Sequence, residues 1–300
     1  HLAYLLSGLE KDDEVVSSVL TCTAAHHPLF YVGARIRFSD VNPDTLNMDT
    51  TTISHAVTNR TKAIVVTHLG GLAVPRASLP TSATVIEDAC QAIGAKTIGW
   101  GTFTCFSFQA IKTITCGDGG MLICRNKSDY LKARRLRWFG IDRDEKKNQG
   151  WQAWNKRGIT SDQTEVGYKY QPTDIDAAIA LANLDDIDML LEHRKTLVDR
   201  YRDCLQEIKG LKLLSSGDNA NWLFTVKVER REDFARKLAS AGIETNLVHV
   251  RNDIVTLFGG KRQHLPGMNS VEKEYISLPL HHNMGFKEID YICQIISEGW

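Results

Sequence analysis

Between Asp88 and Lys112 the chain sets out side chains that could act together on one small molecule. Lys112 is an amine, and a lysine whose pKa is lowered by burial and a cationic neighbourhood can act as a nucleophile and then as a general base. Asp88 closes the run Val85-Ile86-Glu87, which places a carboxylate at the carboxyl end of a buried strand, where open α/β sheets bind ligands. Gln91 adds a carboxamide three residues on. Ser107, in Phe106-Ser107-Phe108, offers a hydroxyl that can serve a phosphate dianion together with backbone N–H groups. Taken singly, each has an ordinary explanation: a turn residue for Asp88, a half-buried strand hydroxyl for Ser107, a surface lysine in a connection for Lys112.

The elements that must position them are those of an α/β protein. Up to about residue 125, short β-rich runs alternate with helix-compatible segments, the pattern of βαβ units and a mostly parallel sheet. Strands are predicted at Glu14–Leu20, Arg35–Asp40, Ala63–His68, Thr84–Glu87, Phe103–Phe108 and Met121–Cys124. The polar stretch from Asp142 to Glu165, with Trp151 and Trp154, lacks either period and reads as a loop or hairpin excursion. After Pro172, Thr173 is a plausible N-cap for one or two long helices running to about Ile208. A strand at Trp222–Val228, a helix at Glu232–Ala241 and a strand at Glu244–Val248 follow. The expectation is a large α/β domain over 1–190 and a smaller C-terminal α+β domain over 191–300.

Composition narrows the partners. The 300 residues are 43% hydrophobic and 24% charged, a globular chain, and Lys+Arg equal Asp+Glu at 36 each. No global field therefore favours nucleic acid or an anionic membrane, and phosphate recognition must be local. The seven cysteines are scattered without a C-x-x-C pair and read as reduced thiols of a cytoplasmic protein. No apolar run reaches the roughly eighteen residues of a membrane span. His1-Leu2-Ala3-Tyr4-Leu5-Leu6 reads as the tail of an amphipathic helix, so an upstream segment is expected to precede it.

The ordered stretches Glu87-Asp88-Ala89-Cys90-Gln91-Ala92, Phe106-Ser107-Phe108-Gln109-Ala110-Ile111-Lys112 and Gly117-Asp118-Gly119-Gly120 resemble the nucleotide-sugar aminotransferases of the aspartate-aminotransferase superfamily. Gly33-Ala34, Val41-Asn42-Pro43-Asp44, Gly167-Tyr168-Lys169-Tyr170, Thr173-Asp174-Ile175-Asp176 and Ser277-Leu278-Pro279-Leu280 extend the likeness over nearly the whole chain. The resemblance implies fold type I, pyridoxal 5'-phosphate alternating with pyridoxamine 5'-phosphate, and a homodimer with shared sites. Lys112 would then be the Schiff-base lysine. Asp88 would hold the proton on the cofactor's ring nitrogen, which the electron sink requires, Gln91 would bond the ring hydroxyl oxygen, and Ser107 the phosphate. Lys169, where many members have asparagine, would pair with a phosphate across the dimer interface. The four glycine-rich residues after Cys116 read as a tight turn allowing close approach of the chain.

On the substrate side, His68, His249 and the Asn246–Arg251 stretch, Arg251 included, are candidates by position. His281 and His282 are equally accounted for by a solvated turn, and Trp151 and Trp154 either stack on a nucleotide base or anchor a hairpin. The family's G-T-x-A-L helix start, which binds phosphate at a helix N-terminus, is not in this sequence, and Pro75–Ala83 and Ala95–Thr102 are short for the family. The implied reaction moves an amino group from an amino acid, with glutamate the expected donor, to a nucleotide-linked keto-deoxy sugar. The Ile114-Thr115-Cys116 version of the turn leans toward the 4-position. A related dehydratase is disfavoured because that subgroup has histidine where Lys112 stands. A non-catalytic binding or regulatory protein on the same scaffold would leave Lys112 and Asp88 unexplained. Gly99-Trp100-Gly101 lacks the third glycine of a nicotinamide-binding fingerprint. No metal is expected.

Overall fold

The computed structural model describes residues 1–76, 82–144, 163 and 165–300. Trp151, Trp154 and most of the polar excursion lie outside the described residues, as does part of Pro75–Ala83. The first half folds around a six-stranded sheet of β1 (Glu14–Ser18), β2 (Arg35–Ser39), β3 (Thr61–Thr67), β4 (Thr84–Asp88), β5 (Phe103–Ser107) and β6 (Gly120–Cys124), ordered β2-β1-β3-β4-β5-β6. The pairs up to β4–β5 are parallel and β6 runs antiparallel to β5. All six strands stand where the sequence predicts them, with ends shifted by at most two residues. Val15, Val16, Ala63, Ile64 and Val66 have no exposed surface, as expected of central parallel strands covered on both faces. Because the strands run together, Ser18, Thr67, Asp88 and Ser107 arrive at one edge, and the site is built there.

Among the described residues the α-helices of this half are α1 (Leu2–Leu6), α2 (His27–Tyr31), α3 (Thr50–Ala56) and α4 (Lys127–Leu136). Then come α5 (Asp174–Leu184) and α6 (Ile187–Leu205). Thr173 caps α5 as predicted: its Oγ1 accepts the Asp176 N–H at 3.2 Å, and Asp176 accepts the Thr173 N–H at 3.0 Å. α5 buries none of its residues, and Ile175, Ile179, Leu181 and Leu184 are exposed.

A second, antiparallel sheet is formed by β7 (Leu211–Leu213), β8 (Phe224–Val228) and β9 (Tyr275–Leu278), with α7 (Arg231–Ser240), α8 (Pro266–Val271) and α9 (Phe286–Ser297). Its core joins Leu197, Tyr201 and Leu205 of α6 to Val226, Phe234, Ile289, Ile292 and Ile296, and the Tyr201 and Phe224 rings stack at 4.6 Å. One strand is a correction. Glu244–Val248 makes only a single bridge, Asn246 to Ser277, and Val248 lies at φ 55°, a conformation a β-branched residue cannot keep in a pleated strand. β9 takes the place beside β8 instead. No helix among the described residues is long and apolar enough to cross a membrane.

A buried histidine ties the segment around Asn252 to β1 and the chain that follows it. His26 Nδ1 accepts from Asn252 Nδ2 at 3.2 Å, so its proton sits on Nε2 and points to Ser17 Oγ at 2.8 Å. Asn252 also donates its N–H to Val19 O at 2.7 Å and its amide to Thr21 O at 3.0 Å. Burial, reinforced by neighbouring His27, pushes His26 down to about 4. In the unfolded chain it would take a proton near pH 6.5, so the unfolded state binds one more proton between those values and stability falls as the pH drops through them. The loss attributable to His26 is on the order of 3 kcal/mol, complete below about pH 4. Urea titrations between pH 7 and 4 are expected to show this slope, reduced by one proton in His26→Asn; an unchanged slope would remove His26 from the account.

Candidate functional site

Adjacent residues of β4 point to opposite faces, and this separates Glu87 from Asp88. Glu87 faces inward with no exposed side-chain surface and accepts from Gly99 N–H at 3.0 Å, Gly101 N–H at 2.7 Å and Thr104 Oγ1 at 3.0 Å. His68 accepts the Val74 N–H at Nδ1, 2.9 Å away, so Nε2 carries the proton given to Glu87 at 3.1 Å. Burial acts to raise the Glu87 carboxyl, but the hydrogen bonds from His68 and Gly101 hold it below the usual range. Asp88 faces the sheet edge, with Oδ1 taking the Cys90 N–H at 3.1 Å in a local turn.

Gln91 reaches back across that turn. It is buried, and its Oε1 accepts the Gly70 N–H at 2.7 Å, which fixes which end of the amide is nitrogen. Nε2 therefore donates to His249 Nε2 at 2.8 Å, and a carboxamide has a second N–H to offer a ligand. His249 must be neutral to accept. Burial first, and the nearby Lys112 charge second, push it down to about 4 against the opposing pull of Asp88. The segment carrying His249 is held at both ends: Tyr275 OH donates to His249 O at 2.9 Å, and Asn252 is bonded to β1 as described.

Lys112 stands in the turn after β5, with its N–H on Gln109 O at 2.9 Å, while Ser107 Oγ accepts the Gln109 N–H at 3.3 Å. The ammonium lies 4.1 Å from the centroid of the Trp222 ring. Burial lowers its pKa, opposed by the neighbouring Cys90, Asp88 and Cys22. Asp88 is thus close enough to act on Lys112, yet it appears in no ion pair among the described residues. The return to β6 needs glycine. Gly117 has φ +88°, and a Cβ on Gly120 would stand 2.5 Å from Phe106 O.

The structure gathers Asp88, Gln91, Lys112 and His249 in one electrostatic neighbourhood, with Ser107 at the start of the Lys112 turn. Such a set can hold a flat phosphorylated cofactor and present an amine to it. Two expected substrate residues stand elsewhere. His68 has no exposed surface and both ring nitrogens are engaged. Arg251 is 1% exposed and spends all five N–H groups on Asp253, Asn269, Glu272 and Gln263 O. Both placements have one cause: each side chain is bonded to a buried carboxylate, a partner that residue type alone does not disclose. Lys169 bridges to Trp138 and lies with Nζ 4.8 Å from that ring, not among the Lys112 contacts. His281 and His282 are exposed after β9. Trp222 escaped the sequence reading because it stands at the mouth of a predicted strand, where an indole signals only a core residue.

A cavity of about 360 Å³ is lined by His249 together with Gly70, Leu214, Thr225 and Arg202 among others. Lys112, Asp88 and Ser107 are not on its wall. A sequence model described as the DegT/DnrJ/EryC1/StrS aminotransferase family matches residues 1–297. GDP-perosamine synthase of Escherichia coli O157:H7 is 29% identical over 99% of this chain and 82% of its own length. The UDP-4-amino-4-deoxy-L-arabinose–oxoglutarate aminotransferase of Shewanella sediminis is 29% identical over 99% and 83%. The crystal structure of the sugar aminotransferase CalS13 from Micromonospora echinospora superposes with a TM-score of 0.89 at 30% identity, over 100% of this chain and 84% of that one.

Proposed function

Because this chain belongs to the DegT/DnrJ/EryC1/StrS aminotransferase family, we propose that it transfers an amino group from glutamate to C4 of a nucleotide-linked keto-deoxy sugar. The coarser reading, a pyridoxal-phosphate-dependent sugar aminotransferase, follows from the family itself. The observation that carries the assignment to these residues is the pairing of Lys112, lowered in pKa by burial, with an Asp88 that acts on it without forming an ion pair. The relative named for UDP-4-amino-4-deoxy-L-arabinose and oxoglutarate supports the 4-position, and oxoglutarate is the keto acid that glutamate leaves behind.

The residues fit the cofactor by their chemistry. Asp88 offers a carboxylate to a ring nitrogen, Gln91 an N–H to the ring hydroxyl oxygen, Ser107 a hydroxyl to the phosphate and Lys112 an amine to the aldehyde. When bound, pyridoxal phosphate supplies an electron sink that makes the α-hydrogen of an attached amino acid acidic. Everything else falls to the chain. Lys112 in its neutral form takes that proton at Nζ and returns it on the sugar side, and its lowered pKa enlarges the neutral fraction near pH 7. Asp88 keeps the ring nitrogen protonated. Gln91, held by Gly70 and His249, stays turned with its free N–H toward the site. His249, neutral beside Lys112, is the residue we place nearest the sugar.

The exposed apolar residues of α5, with Met121 and Ile123 on β6, form a face suited to a second copy of this chain. Asn183 of α5 donates to Thr115 O at 3.0 Å, so that face adjoins the Lys112 turn, and a homodimer would border each site with its neighbour. Lys169 would then reach a phosphate across the interface. Leu181→Glu is expected to give a monomer by light scattering with amino transfer reduced at least about tenfold, since a desolvated charge would oppose association; a dimer of unchanged mass would exclude α5 from the interface. The substrate reading is tested by incubating the holoenzyme with glutamate and GDP- or UDP-linked 4-keto and 3-keto sugars. The expected product carries its amine on C4 by NMR, with oxoglutarate formed in equal amount. An amine on C3 would overturn the position, and oxoglutarate that never exceeds one equivalent per enzyme with any of these sugars would overturn the substrate class.

A further inference from the structure

Trp222 touches the Lys112 turn twice. Its indole Nε1–H donates to Ile111 O at 3.2 Å, and its ring face lies 4.1 Å under the Lys112 ammonium. One rigid side chain thus fixes the backbone of residue 111 and the amine of residue 112. Trp222 is itself held: it is 6% exposed, Asn221 before it sits at φ 52° with its N–H on Asn219 Oδ1 at 2.7 Å, and Arg194 donates to Trp222 O at 3.4 Å. The indole comes from the approach to β8, in the other half of the chain, so it reports the placement of one half to the reactive amine of the other.

We propose that Trp222 is a positioning residue for Lys112, anchoring its turn through Ile111 and carrying its side-chain amine on the ring face. The negative face of an indole attracts a cation, most strongly where water is excluded. Lys112 has no carboxylate partner within ion-pairing distance among the described residues, and the ring lies against its charge. Cys22, Asp88, Cys90 and His249 face the same space. The consequence is directional. With the amine resting on Trp222 it is kept near Asp88 and His249 while not joined to the cofactor, instead of swinging toward solvent. The ring also holds up a charge that burial alone would push further down.

The proposal rests on Lys112 being the amine that reacts with cofactor, but its test does not. In the full chain stripped of cofactor, the pH dependence of Lys112 acetylation, read by peptide mass spectrometry, gives the amine's pKa. Trp222→Phe loses the N–H and keeps a ring face. Trp222→Met fills similar volume, keeps water out and has no ring face. The expected result is a Lys112 pKa lower in Trp222→Met than in Trp222→Phe by about one-half to one pH unit, with faster amide exchange over 109–116 in both variants. Equal values, or a higher value in the methionine variant, would mean that the ring only covers the amine, and would overturn the proposal. If Trp222→Met does not fold, a ring-fluorinated tryptophan at position 222 keeps shape and N–H while draining the face of negative charge. The same lowering is then expected against unmodified tryptophan, and its absence is equally decisive.

Discussion

Lys112→Ala is expected to lower amino transfer by at least about 10⁴-fold, because one side chain supplies both the nucleophile and the proton carrier, and general acid–base catalysis alone contributes about 10² to 10⁴. The loss should appear in the first half-reaction, oxoglutarate formed from glutamate in a single turnover, before any sugar is added. It should come without destabilisation. Lys112 is a partly buried cation with no ion-pair partner among the described residues, and burial already disfavours its charged form, so removing it relieves desolvation. Thermal unfolding is therefore expected to stay put or move up. Retention of more than a few per cent of single-turnover oxoglutarate would assign the chemistry to another amine. A matching collapse of stability would make the activity loss uninformative about catalysis and contradict the placement of Lys112.

Arg251→Ala is expected to cost about 3–5 kcal/mol of folding stability, the penalty for stranding a buried charge. Asp253 has no exposed side-chain surface, and Arg251 binds it through Nε at 2.7 Å and Nη2 at 2.6 Å. Asp253 Oδ2 also takes the Gln263 N–H at 2.6 Å, so it cannot turn away to water without breaking the segment around it. Urea denaturation measures the loss. Replacing both partners, as Arg251→Met with Asp253→Leu, should recover much of it, because an apolar pair leaves no orphaned charge. His249 stands two residues before Arg251, so the single variant should also loosen the Gln91–His249 contact. A stability loss under about 1 kcal/mol would show that water reaches Asp253.

The large sheet was legible because β-branched runs such as Val15-Val16 and Ile64-Val65-Val66, bounded by turn residues, have no other comfortable fate. Asp88, Gln91, Ser107 and Lys112 stood out by order and spacing at strand ends, which local sequence carries. What local sequence does not carry is which groups meet across the chain. His68 and Arg251 looked like ligand-facing residues until Glu87 and Asp253 were found buried against them, and Trp222 stood only as the first residue of a predicted strand, with nothing local to place its ring under Lys112. β9 and the Glu244–Val248 stretch are both short; the left-handed Val248 removes the second from the sheet, and a backbone angle is invisible in composition. α9 was readable, since Ile289, Ile292, Cys293 and Ile296 repeat at helical spacing, and it was simply not read. α5 shows the opposite case, a helix whose cap at Thr173 was plain while its apolar residues Ile175, Ile179, Leu181 and Leu184 stay exposed, with nothing in the local sequence to say what covers them.

The most direct test of Lys112 as the cofactor-bearing residue is chemical. The protein is incubated with pyridoxal phosphate and then with sodium borohydride, which makes permanent any link between the cofactor and a lysine amine, and the modified peptide is sequenced by mass spectrometry. The expected label is on Lys112 alone, and prior glutamate should abolish it by carrying the bound cofactor to its amine form. A label on Lys169, Lys96 or any other lysine, or a Lys112 label that glutamate leaves untouched, would contradict the account.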